Sequence, residues 1–428
     1  MAEPEPKADA RFDVVVFGAT SITGRRVAAY LSERAGETGA SWAAAGRDAS
    51  KLDRVLAEEG VSAPESLVAD VDDPDSLLAM ASRAKVVLNL VGPYTLYGRP
   101  VIDACVDAGA HYVDLTGEIP FVRRVIRDFD ERARAAGVKV IQVCGFEALP
   151  PDLSVRLAAE SALERWGEPL AEVDLEVTIE RVPMPPRPSD YVSGGTMQSL
   201  AAATSDEDAA AVTDPACLVD DPELAAAIRR LSPISVAPRR GLGGHPIAPM
   251  APAAFINPAV IQRSFAQAAA EDGANAEPFR YREGSAIAGP ALSLPLRYAA
   301  AGLLSGVQAG FMRLAGASPP MRRRLGSGLA RILPPSGFGP AADRLEPWHW
   351  RMSISARTSG ANEVVVEVDG RGHPGYLATA RMLGEAGLLL AEAGATPDRA
   401  GCLTPATGLG TANISRFDRA GVSFSVAG

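Results

Sequence analysis

"FDVVVFGATSITGRRVAAYL", residues 12–31, opens with an apolar run and crosses a short turn bounded by Gly18 and Gly24. Beyond the turn, Val27, Ala28 and Leu31 recur at helical spacing. The run Phe12–Phe17 reads as a buried strand and residues 23–34 as a helix, so the turn joins a strand to a helix N-terminus. The first turn of a helix has no upstream acceptors, and its backbone N–H groups are open to an anion. Gly18 permits a tight exit from the strand, and Gly24 lets the helix approach the sheet closely. Ser21 stands where the middle glycine of a dinucleotide fingerprint is expected. It adds only a small side chain, whose hydroxyl can donate to a phosphate oxygen, as can those of Thr20 and Thr23 on either side of Ile22. A plainer reading is that small residues simply build a tight turn. The place of the turn, in the first unit of a long alternation, favours phosphate.

That alternation runs to about Pro150. Short apolar runs at 41–45, 66–69, 85–91 ("KVVLNLV"), 111–115 ("HYVDL") and 138–144 ("VKVIQVC") alternate with helical stretches such as 101–108 and 119–136. Strands alternating with helices imply a parallel sheet with crossover helices. Past Pro150 the pattern changes. In "EVDLEVTIE" (172–180), Val173, Leu175, Val177 and Ile179 share one face while acidic residues and Thr178 share the other. Period two indicates a half-buried strand with one wet side; "HWRMSISAR" (349–357) and "NEVVVEV" (362–368) repeat it, and a helix over 375–393 follows. The expected fold is α/β: an N-terminal Rossmann-type parallel sheet over 11–150 and a second α+β domain, 151–402, on a largely antiparallel sheet. Residues 1–10 read as a disordered polar leader, and 403–428 are expected to pack back on the first domain. The stretch 204–344, rich in Ala, Pro, Gly and Arg, resists assignment.

The bulk numbers bound the function. A chain of 428 residues with 47% hydrophobic and 22% charged residues suits two domains. A net charge of -10 argues against a nucleic-acid partner, which wants a basic face. Cys105, Cys144, Cys217 and Cys402 are scattered, with no CxxC pair, so neither a metal site nor a disulfide framework is expected, and a reducing cytoplasm fits. The four histidines have no triad-like partners. No apolar run reaches the roughly 18 residues of a spanning helix.

The second strand chooses the cofactor. "WAAAGRDASK" (42–51) puts Arg47 where an NAD site has an acidic residue for the ribose hydroxyls. An arginine there, with Ser50 or Lys51 assisting, suits a 2′-phosphate and hence NADP(H). Asp48, one residue on, speaks the other way. Asp70, ending the third strand, is placed to meet the adenine edge. "NLVGPY" (89–94) closes the fourth strand, with Gly92 and Pro93 under the nicotinamide ribose.

"GATSITG", "AGR" (45–47), "VVLNLVGPYTLYG" (86–98), "YVDLTGE" (112–118) and "CGFEALPPDL" (144–153) together resemble the saccharopine dehydrogenase-like reductases, and within them the trans-acting enoyl reductase branch. "SGGTMQS" (193–199), "PGYLATARMLGEA" (374–386) and "LTPATGLG" (403–410) extend the resemblance to the C-terminus. It departs at Ser21 and at "GFGPAADR" (337–344), where the family has GPS followed by acidic residues. The resemblance implies an NADP-binding domain and an α+β domain carrying substrate contacts and a homodimer interface. It also implies reduction of enoyl double bonds on acyl or polyketide chains, carrier-bound ones included, during lipid synthesis.

Such a reaction needs a hydride at the β-carbon, a proton at the α-carbon and a polarised carbonyl. Tyr94 and Tyr97 follow the fourth strand, and Tyr191 precedes the "SGGT" turn with Thr196. Each is a candidate proton donor, and each has packing as its plainer role. Glu118 either orients substrate or caps the helix after it. The stretch 296–314, apolar between Arg297 and Arg313, has three readings: a buried helix, an acyl-tunnel wall, or a peripheral contact with the inner face of a membrane. Two other functions stay open: a saccharopine-type amino-acid dehydrogenase, disfavoured by only four lysines in the chain, and a non-catalytic NADP-binding scaffold at a lipid surface.

Overall fold

The computed structural model describes residues 11–61, 63, 65–191, 206–241, 244–250, 253–271, 277–287, 293–318, 320–322, 324, 328 and 339–427. The first strands are β1 (Phe12–Phe17), β2 (Trp42–Gly46), β3 (Ser66–Val68), β4 (Ala84–Asn89), β5 (His111–Asp114) and β6 (Lys139–Ile141). Then come β7 (Leu170–Arg181), β8 (Arg239–Arg240), β9 (Pro246–Ala248), β10 (Arg280–Ala286), β11 (His349–Thr358) and β12 (Glu363–Arg371). The last two are β13 (Gly401–Leu403) and β14 (Val422–Ala427). They form two sheets. The first is parallel throughout, in the order β13-β6-β5-β4-β1-β2-β3. The second, β14-β12-β11-β7-β10-β9-β8, is antiparallel except for the β7–β10 pair.

Both faces of the first sheet are covered, which is why its strands read as continuous apolar runs; Val14, Val15 and Val16 are all fully buried. Helices α1 (Ile22–Thr38), α2 (Ala49–Glu58), α3 (Pro74–Ser82), α4 (Tyr94–Ala108) and α5 (Ile119–Ala135) make the crossovers. Helix α4 starts well before the expected residue 101, because Pro100 lies inside it and hides its first turns from a periodicity reading. Helix α6 (Leu149–Trp166) leads into β7, whose Val173, Leu175 and Val177 face the core as the alternation predicts.

Later helices are α7 (Pro222–Leu231), α8 (Asn257–Glu271), α9 (Leu294–Ala315), α10 (Thr379–Ala391) and α11 (Pro405–Leu409). The expected helix over 375–393 is a π-helical turn, Pro374–Ala378, followed by α10. Although it lies late in the chain, α10 packs on the first sheet: a Cβ at Gly387 would sit 3.1 Å from Leu88 Cδ2 and 3.4 Å from Val14 Cγ2. The end of the chain divides. Strand β13 pairs with β6 in the first sheet and β14 with β12 in the second. One continuous apolar core runs from Val14 and Leu88 through α6 and α10 to Met352 and Val366.

Candidate dinucleotide and active site

Strand order reverses between β1 and β4, and the loops at their carboxyl ends flank the crevice this creates. Gly18 has φ +86°, and a Cβ there would lie 2.9 Å from Val91 Cγ2 and 3.0 Å from the Leu90 carbonyl carbon. At Gly24 a Cβ would lie 2.3 Å from the Gly18 carbonyl oxygen. Backbone occupies both spaces, so both positions require glycine.

Ser21 is the N-cap of α1: its Oγ accepts the Gly24 N–H at 2.9 Å. The hydroxyl proton therefore remains for another acceptor. The Ile22 and Thr23 amides in the first turn have no acceptor among the described residues. Arg25 Nε donates to the Thr20 carbonyl at 3.2 Å and ties down the turn. Open amides at a helix N-terminus, beside two glycines with no room for a side chain, fit a diphosphate.

Past β2, Arg47 and Lys51 are exposed, and neither side chain has a partner among the described residues. Asp48 no longer speaks for NAD. Its Oδ1 accepts the Lys51 N–H at 2.9 Å as the N-cap of α2, turning the carboxylate toward its own helix. Asp70, at the end of β3, accepts the Asp72 N–H at 3.2 Å. The segment after β4 lies against the glycine turn, with the Leu90 N–H donating to the Phe17 carbonyl at 2.8 Å. Gly92 and Pro93 follow, joined by a cis peptide.

Beneath this segment is a buried polar network. Asn89 Nδ2 donates to the Tyr112 hydroxyl at 3.0 Å, which donates to Asp114 Oδ2 at 2.9 Å. Asp114 Oδ1 accepts the Thr116 and Val143 amides at 3.0 and 3.2 Å. Burial pushes the Asp114 carboxyl up to about 7. Tyr94 belongs to this network: its hydroxyl donates to the Asn89 carbonyl at 3.2 Å and accepts the Leu115 N–H at 3.4 Å. Burial holds its proton well above the usual phenol range.

Tyr97, one turn further along α4, is 37% exposed and its hydroxyl has no partner among the described residues. Tyr191 lies apart from both, on the second sheet's side, edge-on to Trp348 with centroids 5.5 Å apart. Thr196 and the "SGGTMQS" stretch fall outside the described residues. Glu118 caps a different helix from the one expected. It makes no cap bond to α5, and its two oxygens accept the Tyr94 and Thr95 amides at 3.0 and 2.8 Å, closing the N-terminus of α4.

The sequence reading gave Glu147 no role. It follows β6 at the same end of the sheet, with Oε2 3.4 Å from where a Cβ on Gly145 would lie. Burial raises its carboxyl above the usual range, and no cation offsets this among the described residues. Only the buried neighbourhood of "CGFEALPPDL" marks it. His349 bridges Glu180 and Asp369, His373 contacts the Asp190 carbonyl, and the ring of His111 accepts the Lys139 N–H, so each is occupied structurally.

A doubly wound parallel sheet whose first turn is bounded by two glycines that leave no room for a side chain is the framework of a dinucleotide-binding oxidoreductase. Residues 14–141 match the family described as Saccharopine dehydrogenase NADP binding domain. The chain is 33% identical over 439 residues to the trans-acting enoyl reductase of Mycobacterium ulcerans, covering 98% of each chain. It is 33% identical over 440 residues to the trans-acting enoyl reductase of Mycobacterium tuberculosis, covering 97% of each. A solved homospermidine synthase from Legionella pneumophila, in complex with NAD, shares the fold at TM-score 0.50 and 11% identity, over 97% of this chain and 91% of that one. The chain belongs to the trans-acting enoyl reductase family.

Proposed function

We propose that this chain reduces the carbon–carbon double bond of an enoyl intermediate on a lipid or polyketide acyl chain, presented to it by a separate carrier. The observation that carries this reading is the end-to-end relation to proteins named trans-acting enoyl reductases, combined with an NADP-type crevice. In this reading the Gly18–Gly24 turn and the Ile22 and Thr23 amides hold the diphosphate. Arg47 and Lys51 hold the 2′-phosphate, Asp70 meets the adenine, and Gly92 and Pro93 lie under the nicotinamide ribose. The bound nicotinamide supplies the hydride for the β-carbon.

Tyr97 delivers the proton to the α-carbon or hydrogen-bonds the carbonyl as enolate charge develops. Of the three tyrosines proposed from sequence, it alone lies next to the fourth-strand loop with a hydroxyl not already bonded. A second donor, Glu147, is favoured by a carboxyl that burial keeps protonated further up the pH scale. The experiment follows NADPH fluorescence during turnover of an enoyl thioester, in wild type and in Tyr97→Phe and Glu147→Gln. Loss of the true donor lowers kcat about a hundredfold or more with NADPH affinity retained. Tight NADPH binding without turnover of enoyl, keto or imine substrates would overturn the reductase reading, and turnover of imines alone would move it to amino-acid chemistry.

A further inference from the structure

Helix α9 wears its polarity inside out. Its buried positions are Ala301, Ser305, Gln308 and Ala315, and Gln308 Nε2 donates to the Pro249 carbonyl at 2.7 Å. Its outward face carries Leu303, 72% exposed, Val307, 65%, and Leu296, 56%, with Leu294, Tyr298 and Leu304 beside them. A surface helix normally shows the reverse, and a contiguous exposed apolar patch marks a site that something covers. The same exposure rules out a tunnel wall, because these side chains point away from the protein.

Charge says what covers it. Between Glu283 and Asp343 the sequence has no Asp or Glu, while Arg297, Arg313, Arg322, Arg323, Arg324 and Arg331 fall within that stretch, in a chain of net charge -10. Arg313, in the last turn of α9, is exposed and has no acidic partner among the described residues. Arg322 folds back on the helix end, donating to the Ala315 and Glu207 carbonyls at 3.1 Å each. A second copy of α9 laid parallel is a poor cover: it would set Arg313 against Arg313 with no acid on the helix to compensate. No helix among the described residues is long and apolar enough to cross a membrane. An anionic lipid surface satisfies the apolar face and the exposed Arg313 at its end together.

We propose that α9 lies flat on an anionic membrane, with Leu303 and Val307 in the headgroup–acyl boundary and Arg313 among the headgroups. This inference rests on surface geometry and charge and stands apart from the reductase reading.

The test is flotation of the full chain with vesicles of phosphatidylcholine, with and without phosphatidylglycerol. Wild type should co-float with the anionic vesicles and be released by salt. Leu303→Asp/Val307→Asp should cut the bound fraction about tenfold or more, with its melting temperature unchanged. As a second readout, Leu303→Cys can be labelled selectively with an environment-sensitive fluorophore, since all four native cysteines are buried; its emission should shift blue on anionic vesicles. Failure of wild type to bind, or equal binding by the double variant, overturns the proposal. So does a wild-type dimer without vesicle binding that the double variant turns into a monomer, an outcome that would assign the face to a second copy.

Discussion

In the proposed function, Arg47 decides between two coenzymes with one guanidinium. It stands at the end of β2 with no partner among the described residues, while the acid beside it, Asp48, is spent on capping α2. A charge-assisted hydrogen bond is worth roughly 1.5–3 kcal/mol, so Arg47→Ala should weaken NADPH binding about ten- to a hundredfold and leave NADH almost untouched. Fluorescence titration of both coenzymes checks this, and a parallel loss for NADH would point instead to damage of the glycine turn. Gly18 and Gly24 were legible because each answers a backbone requirement that sequence states directly, whereas the capping role of Ser21 was not read. The capping of α2 by Asp48 and the capture of the Tyr94 hydroxyl by Asn89 were not legible either, since both depend on which way a side chain turns.

Helix α1 carries the proposed diphosphate site at its N-terminus and holds the late part of the chain with its other end. Tyr30 Oη and Arg34 Nε donate to Glu385 Oε1 at 3.0 and 2.7 Å, and Arg416 reaches Glu385 Oε2 at 3.3 Å. Glu385 is fully buried. Its removal would leave the Arg34 guanidinium with only the half-exposed Glu37 and would take a partner from Tyr30 and Arg416. The loss should lie at the lower end of the roughly 3–5 kcal/mol that breaking a buried pair from one side costs. Glu385→Ala should therefore lower unfolding stability by that amount in urea denaturation, and a loss below about 1 kcal/mol would show the pair to be screened. Helix α10, which carries Glu385, had the right approximate bounds in the sequence. Its place against β1 and β4 was not readable, because periodicity identifies an apolar face and says nothing of which sheet receives it.

Both sheets share one core through α6 and α10, so the molecule should unfold in a single transition despite its two sheets. That transition carries a pH signature. Burial pushes Asp114 up to about 7 and Asp152 to about 6, from an ordinary 3.8. Between about pH 4 and 6 the folded chain keeps protons that the unfolded chain has released. Stability from these groups therefore falls as pH rises through that window, by about 1.4 kcal/mol per pH unit for each. Glu283, raised to about 7 by burial, acts in the same sense, and His111, lowered to about 4 by burial, opposes them within the window, so the three acids outweigh the one imidazole. Asp190, drawn down to about 2 by Arg344, opposes them only below it. Urea midpoints measured from pH 4 to 6 should slope downward in wild type and less steeply in Asp152→Asn; identical slopes would remove Asp152 from this account. The sequence by itself determined the parallel sheet, the alternating sheet and the glycine turn, because these follow from local periodicity and backbone space along the chain. Only the tertiary structure decided that Glu118 caps α4, that α10 covers the first sheet, that the chain's end splits between sheets and that α9 turns its apolar side outward. Each of those joins residues far apart in sequence or depends on burial, which exists only once the chain has packed.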